Sequence, residues 1–479
     1  MPDGKGIAMS YVPVILQSYE PKTDTDLYLP QAHMRKWNLT PSSVTVQFGS
    51  KTARAKVSGL QQARNSLIRP SLAQMLHLPK GVPLLVRYQA SQQRLVFGPY
   101  LGILVSAYNP QYSLSPFGGL TPFFNEVADS CRKRGGIVCI FRMQDVNWNT
   151  GIVRGMVRQN GQWRQVILPL PQCIYNRVVS RRRERSEAMS DWMQRCKEAN
   201  IPFFNEQFLN KWHVHTALEN EPGASEHLPR TILYQSKQDL ESMLQSHKTV
   251  YAKPVNGSMG RGIVRIRRTG GGYQLSRSGG GSRQFGSISD LHRHLYQQTK
   301  GKKYLLQQGL SLIGIQQRPT DFRVLVQKDR QGAWGITSMV ARLGQNRVVS
   351  NVSRGGSMAA PAYALRICGP WMTSARPTVQ TLRSVALKLS QLLEQSLSGH
   401  YAELGIDLGV DVRGHVWLLE VNSKPSKTTN SLPMQGGEDG TSRRVRPSVL
   451  RMLDYSSYLS GFPRSGKSKS EARKKSRRG

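Results

Sequence analysis

Acidic side chains are in short supply: 29 Asp and Glu face 67 Lys and Arg, for a formal net charge of +38. Such a surplus implies anionic partners, whether nucleotides, nucleic acid or acidic polymers, and by itself selects none of them. A surface this basic holds nucleic acid non-specifically at low salt, so that behaviour says little about function. No aromatic-basic RNA-binding strand motif or recognition helix accompanies the charge, and no specific nucleic-acid partner is expected. Cysteine is sparse as well. The five thiols, Cys131, Cys139, Cys173, Cys196 and Cys368, are odd in number, scattered and free of CxxC spacing. They argue against a disulfide framework or zinc site, and for reduced thiols in a cytoplasmic protein. The pairs His213-x-His215 and His292-x-His294 have no neighbouring cysteine and not the spacing of a helix-borne metal site. The first residues, MPDGKGIAMS, contain no apolar core of leader length, and no run approaches the roughly 20 apolar residues a membrane span requires. A soluble chain is expected.

A length of 479 residues leaves room for several domains, and the pattern reads as three folded units of α/β class, in an α+β multi-domain arrangement, plus a tail. Residues 1–114 form a small β-rich unit: Val44–Phe48, Leu84–Tyr88, Leu95–Pro99 and Leu101–Leu104 read as strands, with a short helix over Leu72–Leu78 capped by Ser71. Residues 115–200 form an α/β unit, with a helix over Pro122–Arg134, the apolar strand Gly136–Phe141, and a strand-turn-strand around Asn160-Gly161. A further helix opens at Arg181-Arg-Arg-Glu-Arg185 and runs to Ala199; its arginines either grip an anionic substrate or form a solvated face. Residues 201–462 read as one large α/β unit that includes the amphipathic helix Val379–Leu397, ending at Gly399. The tail, 463–479, is basic, has no apolar face to bury and should be disordered.

The stretch GIDLGVDVRGHVWLLEVNSKPS, from Gly405 to Ser426, organises the last of these units. Two apolar-alternating runs flank Arg413-Gly414, so a hairpin is predicted with Val412 opposite His415. That register sets Val410 against Trp417, Leu408 against Leu419, and Asp407 against Glu420, with Asn422 on the carboxylate face. Ile406, Leu408, Val410, Trp417, Leu419 and Val421 would then face the core. Like charges across a ladder repel, so Asp407 and Glu420 call for a compensating cation. Two carboxylates and an amide oxygen suit Mg²⁺, or Mn²⁺ in its place. A solvated acidic hairpin face explains the same composition. Upstream, Lys253 leads into a loop, Gly257-Ser258-Met259-Gly260-Arg261-Gly262, whose glycines let backbone N–H groups approach phosphate oxygens. It is not a Walker A loop, because the lysine precedes the glycines and a strand follows them. A plain turn beside an exposed lysine is the other reading.

Taken together, the lysine before a Gly-rich loop, the strand ending in Gln307-Gln308-Gly309-Leu310, Arg342 at a strand end, and Asp407 with Glu420-x-Asn422 resemble the ATP-grasp superfamily. The spacing from the aspartate to Glu-x-Asn is similar to that of D-alanine:D-alanine ligases, and Arg342 with Asn351 is closer to glutathione synthetase and RimK-type ligases. Phe97 to Leu104, Leu168 to Arg177 (LPLPQCIYNR), Asn210-Lys-Trp212, His227 to Thr231, and Asn351 to Gly356 resemble the YheC/YheD endospore coat-associated branch. The resemblance covers nearly all of the chain up to about Phe462. It implies an ATP-grasp fold preceded by the β-rich unit and a pre-ATP-grasp α/β unit. It further implies ATP and Mg²⁺ as cofactors, with a carboxylate substrate and a nucleophile as partners. Lys211 and Lys253 would contact ATP phosphates, and Gly257 to Gly262 would cover them. The Gln307 to Leu310 backbone would read the adenine edge, with the Gln307 side chain taking the exocyclic amine. Asp407, Glu420 and Asn422 would hold the metal, and Arg342, with Arg323 as a lesser candidate, would stabilise the transferring phosphoryl group. Two departures stand out: Gly405 occupies the place of an arginine in the D-alanine ligases, and Ser423-Lys-Pro-Ser426 replaces the usual small residue and Pro-Gly. The resemblance implies a ligase associated with the spore coat. The alternative is a non-catalytic nucleotide-binding coat protein that meets polyanionic material through its basic surface and tail.

Overall fold

A computed structural model of the chain describes residues 11–20, 23–61, 65–79, 81–257, 260–277, 280–315, 318–344, 357–368, 376–427 and 445–463. The chain divides into two compact units: Met1–Glu206 with Lys328–Ala333 and Ser426–Gly479, and Gln207–Gln327 with Trp334–Pro425.

The first unit begins with β1 (Tyr11–Ser18), β2 (Leu27–Pro30), α1 (Gln31–Lys36), β3 (Ser42–Phe48), β4 (Lys51–Leu60), β5 (Ser66–Ile68), α2 (Pro70–Met75), β6 (Pro83–Gln89) and β7 (Arg94–Gly98). The strands close into a barrel in the order β1-β5-β2-β4-β3-β7-β6. Period-two alternation explains the closure: Val44, Val46 and Phe48 of β3 and Ala53, Ala55 and Val57 of β4 are all buried, while the residues between them are more open. Helix α2 starts two residues earlier than Ser71 would place it, with Arg69 as the cap and Pro70 at the first turn. Proline has no N–H to leave unsatisfied there.

A second sheet follows, from β8 (Tyr100–Val105), α3 (Thr121–Lys133), β9 (Ile137–Phe141), β10 (Val146–Asn147), β11 (Ile152–Gln159), β12 (Gln162–Pro169), β13 (Cys173–Arg177), α4 (Arg181–Glu184), α5 (Glu187–Glu198) and β14 (Phe203–Phe204). Its order is β10-β11-β9-β8-β13-β14, with β12 on β11. Strands β9, β8, β13 and β14 run parallel, and β8, β9 and β13 are buried along their whole length, as covered parallel strands require. Because β8 belongs to this sheet, the barrel ends at Gly98, short of the expected boundary at 114. The helix expected over Arg181–Ala199 is two helices, since the Ser186 hydroxyl accepts from Met189 N–H at 3.3 Å and restarts the chain as α5.

The second unit contains α6 (Lys211–Leu218), β15 (Thr231–Tyr234), α7 (Lys237–Ser246), β16 (Thr249–Pro254), β17 (Val264–Thr269), β18 (Gly272–Arg277), β19 (Ser282–Phe285), α8 (Ile288–Thr299), β20 (Tyr304–Gln308), β21 (Gly314–Ile315), β22 (Arg318–Lys328), β23 (Trp334–Leu343), β24 (Ser357–Ala359), α9 (Pro361–Ile367), α10 (Val379–Ser396), β25 (Glu403–Val410) and β26 (Val416–Asn422). One sheet runs β15-β20-β16-β17-β18-β19, the other β24-β23-β22-β25-β26 with β21 on β22. Leu240, Leu291 and Leu295 of α7 and α8 pack on Val250, Ala252, Ile266 and Leu306 of the first sheet. Helix α10 lays Leu382, Ala386, Leu389 and Leu393 against Ile406, Leu408 and Val410 of the second sheet. The remaining helix, α11 (Pro447–Leu459), lies in the first unit and packs on α3.

Candidate active site

The hairpin of β25 and β26 pairs Asp407 with Glu420, as the sequence predicts, but reaches that pairing by a different route. Val410 lies opposite Val416, Gly409 opposite Trp417 and Leu408 opposite Leu418, and the register then shifts by one before Asp407 meets Glu420. The turn is one residue longer than predicted because Asp411 organises it. Its Oδ1 accepts from the Arg413 and His415 N–H groups, each at 2.9 Å, and its Oδ2 accepts from Trp417 Nε1 at 3.0 Å. Leu419 is the extra residue that restores the register, a β-bulge. The expectation that Trp417 and Leu419 face the core is therefore overturned. Val416 and Leu418 are buried in their place, while Trp417 and Leu419 are only half-buried. Without the bulge Leu418 and Glu420 would share a face; with it, Leu418 enters the core and Glu420 turns to the opposite side.

On that side the charged residues form a row across neighbouring strands. Arg323 of β22 lies opposite Asp407, and Asp407 lies opposite Glu420. Asn422 follows two residues after Glu420 and so shares its face. Arg323 grips Asp407 with two nitrogens, Nε on Oδ1 and Nη2 on Oδ2, the second at 2.7 Å. Arg342 of β23 bridges two carboxylates, Asp321 at 2.5 Å and Asp407 at 2.9 Å. Glu420 Oε1 accepts from Lys211 Nζ at 3.2 Å. The cation that the Asp407–Glu420 pairing calls for is thus provided in part by the chain's own Arg323, Arg342 and Lys211. Burial alone would raise the Asp407 carboxyl, but the two guanidiniums outweigh it and hold it below the usual carboxylate value. Burial alone would lower the Arg342 guanidinium, and Asp407 and Asp321 reverse that. Gly405 and Gly409 flank Asp407 on its face. A Cβ at Gly405 would lie 3.5 Å from Arg323 Cδ, an ordinary van der Waals contact, so the Arg323 side chain lies directly over this glycine.

Lys211 sits at the first turn of α6, where Asn210 accepts from His213 N–H at 2.9 Å and caps the helix. Its ammonium also donates to Gly257 O at 2.8 Å, tying the Gly-rich loop to the carboxylate row. Gly260 and Gly262 have φ of 67° and 74°, the left-handed region in which glycine is unstrained. Ser258, Met259 and Asn351, the other expected contacts, lie outside the described residues. Lys253, on the β16 face away from the core, donates to Gln307 Oε1. Its pKa is pushed down to about 8, first by burial and then by Lys211, with Glu420 opposing. The Gln307 amide is committed at both ends, since its Nε2 donates to Thr231 Oγ1 at 3.0 Å. In this arrangement the side chain is engaged with the protein rather than open to an exocyclic amine. Gln308 N–H and Gly309 N–H donate to Arg230 O and Thr249 O, each at 2.8 Å. Gln307 to Leu310 does connect the two sheets of the unit, as expected of a linker.

Asp407, Glu420 and Asn422 present hard oxygen donors on one face, a set that fits a divalent cation of the Mg²⁺ kind. Among the described residues no group of three His, Cys, Asp or Glu side chains offers another metal cluster. Sequence reasoning missed Asp321 and Thr231. The signal for Asp321 was present: it stands two residues before Arg323, which places both on one strand face.

The family described as YheC/D like ATP-grasp matches residues 200–459. The endospore coat-associated protein YheD of Bacillus subtilis (strain 168) is 30% identical over 430 residues, 86% of this chain and 90% of that protein. YheC of the same organism is 23% identical over 274 residues, 55% of this chain and 73% of that protein. Among solved structures, D-cycloserine synthetase DcsG superposes with a TM-score of 0.42 at 13% identity, covering 75% of this chain and 99% of that one. With its family match over more than half its length and a relative spanning most of the rest, the chain belongs to the YheC/D-like ATP-grasp family.

Proposed function

We propose that the chain binds MgATP and acts as an ATP-dependent carboxylate–amine or carboxylate–thiol ligase. The γ-phosphoryl group would pass to a substrate carboxylate, and the nucleophile would then displace phosphate from the acylphosphate. The observation that carries this reading is the row of Arg323, Asp407 and Glu420 directly across three adjacent strands. Asp407, Glu420 and Asn422 would hold the metal; bound there, Mg²⁺ would neutralise charge on the phosphate oxygens. Lys211 and Lys253 place positive charge beside the Gly-rich loop, whose backbone covers the phosphates. The Gln307 to Leu310 segment carries the base. Arg342 and Arg323, held by Asp321 and Asp407, are preorganised to meet charge that develops on the transferring group. Such chemistry depends mainly on positioning and electrostatics, and rigid ion pairs supply both.

The test is Glu420→Gln. It should abolish ADP release in the presence of candidate acids and amines while the thermal midpoint stays near that of the parent. Full turnover by this variant would remove Glu420 from the metal set. A second reading, a non-catalytic nucleotide-binding protein of the spore coat, is favoured by one observation: Asp407 and Glu420 already have internal cationic partners. Thermal stabilisation by MgATP without ADP release under any acid and nucleophile would establish that reading. In either case we propose association with the endospore coat, following the names of the relatives, with the basic surface meeting polyanionic material.

A further inference from the structure

The stretch LPLPQCIYNR, Leu168 to Arg177, has no part in the site above, yet it ends on a side chain the fold treats unusually. Arg177 closes β13, a parallel strand between β8 and β14. In sheets of this kind the carboxyl ends of the parallel strands are where ligands bind. Arg177 is only 4% exposed. Among the described residues its guanidinium has one hydrogen bond, Nη1 donating to the Tyr175 hydroxyl at 3.5 Å, and it stands 5.7 Å from the centre of that ring. No carboxylate pairs with it among the described residues.

Two other arginines near these strand ends are differently placed. Arg142, after β9, is held by Asp145 through Nη2 at 2.7 Å and Nε at 2.9 Å. Arg183, on α4, donates to Ser106 O after β8. The setting of Arg177 is also rigid. Asn176 donates to Glu206 O at 2.8 Å and accepts from Val178 N–H at 3.0 Å, which fastens the end of β13 to the segment after β14. Tyr175 stacks on Phe204 with ring centres 5.0 Å apart and planes 15° from parallel, and Phe204 meets the edge of Tyr455 at 5.5 Å. A hydroxyl at the limit of hydrogen-bond length and one aromatic face are weak partners for so covered a guanidinium, whose other nitrogens keep only the contact that 4% exposure leaves. Arginine presents a planar fork that matches two oxygens of a carboxylate or a phosphate.

We propose that Arg177 is the anchor of a second, oxyanion-binding site at the carboxyl edge of the parallel sheet, and that it takes a carboxylate or phosphate group of a ligand. The site belongs to the first unit and does not depend on the nucleotide reading of the second. The experiment follows the thermal midpoint of the full chain at constant ionic strength, with chloride as reference and inorganic phosphate and succinate as separate arms. Lys253→Met supplies a background from which a phosphate contact at that lysine has been removed. Phosphate, succinate or both should raise the midpoint of the parent and of Lys253→Met by at least about 2 °C, and the arm that responds identifies the group preferred. In Arg177→Met the rise should vanish, while the ligand-free midpoint should stay the same or increase, because an unbalanced buried charge has been exchanged for an apolar side chain. Arg177→Lys, which keeps the charge and loses the fork, should retain less than half of the rise. Three results would overturn the site: no rise in the parent with either anion, an equal rise in Arg177→Met, or an Arg177→Met protein that is markedly less stable or does not fold. The last would mark Arg177 as a structural cation. MgADP binding by Arg177→Met reports separately on the other unit, so loss of either reading is distinguishable from loss of both.

Discussion

Lys253 offers the sharpest quantitative test of the electrostatics. Its ammonium is lowered from the ordinary 10.5 to about 8, mostly by burial and then by Lys211. A basic group whose folded pKa is depressed weakens the fold while it must be charged. The unfolded chain holds the proton more tightly, so stability rises with pH between the folded value of about 8 and the unfolded value of 10.5. The gap corresponds to a penalty of about 3 kcal/mol at neutral pH, most of which is relieved between about pH 7 and pH 10. Lys253→Met removes the titration but also leaves Gln307 Oε1 without its donor, so its effect at a single pH mixes two contributions. Comparing parent and variant at both pH values cancels the second, which does not titrate. Urea unfolding followed by tryptophan fluorescence should therefore show the parent gaining about 2 to 3 kcal/mol on the variant as pH rises from 7 to 10. A difference that stays constant across that range, or moves the other way, would show that Lys253 is not desolvated, and its place in a closed phosphate site would fall with it.

Two further outcomes follow from the same network. Asp407→Asn leaves Arg323 without a carboxylate and Arg342 with Asp321 alone among the described residues, and should cost about 3 kcal/mol or more in chemical denaturation; because the Asp407 carboxyl is held below its ordinary value, the stability it contributes in the parent should be present above the usual carboxylate range and be lost as pH falls through its folded value. Thr231 fixes the orientation of the Gln307 amide: its hydroxyl donates to Pro229 O at 2.8 Å, so its oxygen can only accept from Gln307 Nε2, which turns Oε1 toward Lys253. Thr231→Val should weaken MgADP affinity about threefold to tenfold by calorimetry, with Thr231→Ser restoring it, and equal loss in both variants would refute the orienting role.

How much of this was legible in the sequence depends on whether the pattern is local. The alternation Ile406, Leu408, Val410 places Asp407 on the face away from the core, and the stripe Leu382, Val385, Ala386, Leu389 defines α10; both follow from a single period. The pairing of Asp407 with Glu420 was read correctly although the turn was not. Asp411 lengthens the loop by one residue through side-chain hydrogen bonds, and Leu419 returns that residue as a bulge; two effects of one residue cancel where the carboxylates meet. Nothing in the spacing of Arg323 and Asp407, 84 positions apart, announces that they are direct neighbours across two strands. The same holds for β8, whose apolar run fits a barrel strand as well as a parallel one. Only its partners β9 and β13 assign it to the second sheet. Arg177 shows the limit from the other side, because a residue that ends a strand carries no sign in the sequence of whether a counter-ion awaits it.

The bulge at Leu419 has a consequence for how this hairpin can change over generations. It stands between the tip and the carboxylates, so the two ends of the ladder keep separate registers. A tip that gains or sheds a residue can be accommodated by creating or erasing such a kink, and the carboxylate end need not slide. The outer loop is thereby free to drift in length, whereas one residue inserted between Glu420 and Asn422 would turn one of these donors toward the core.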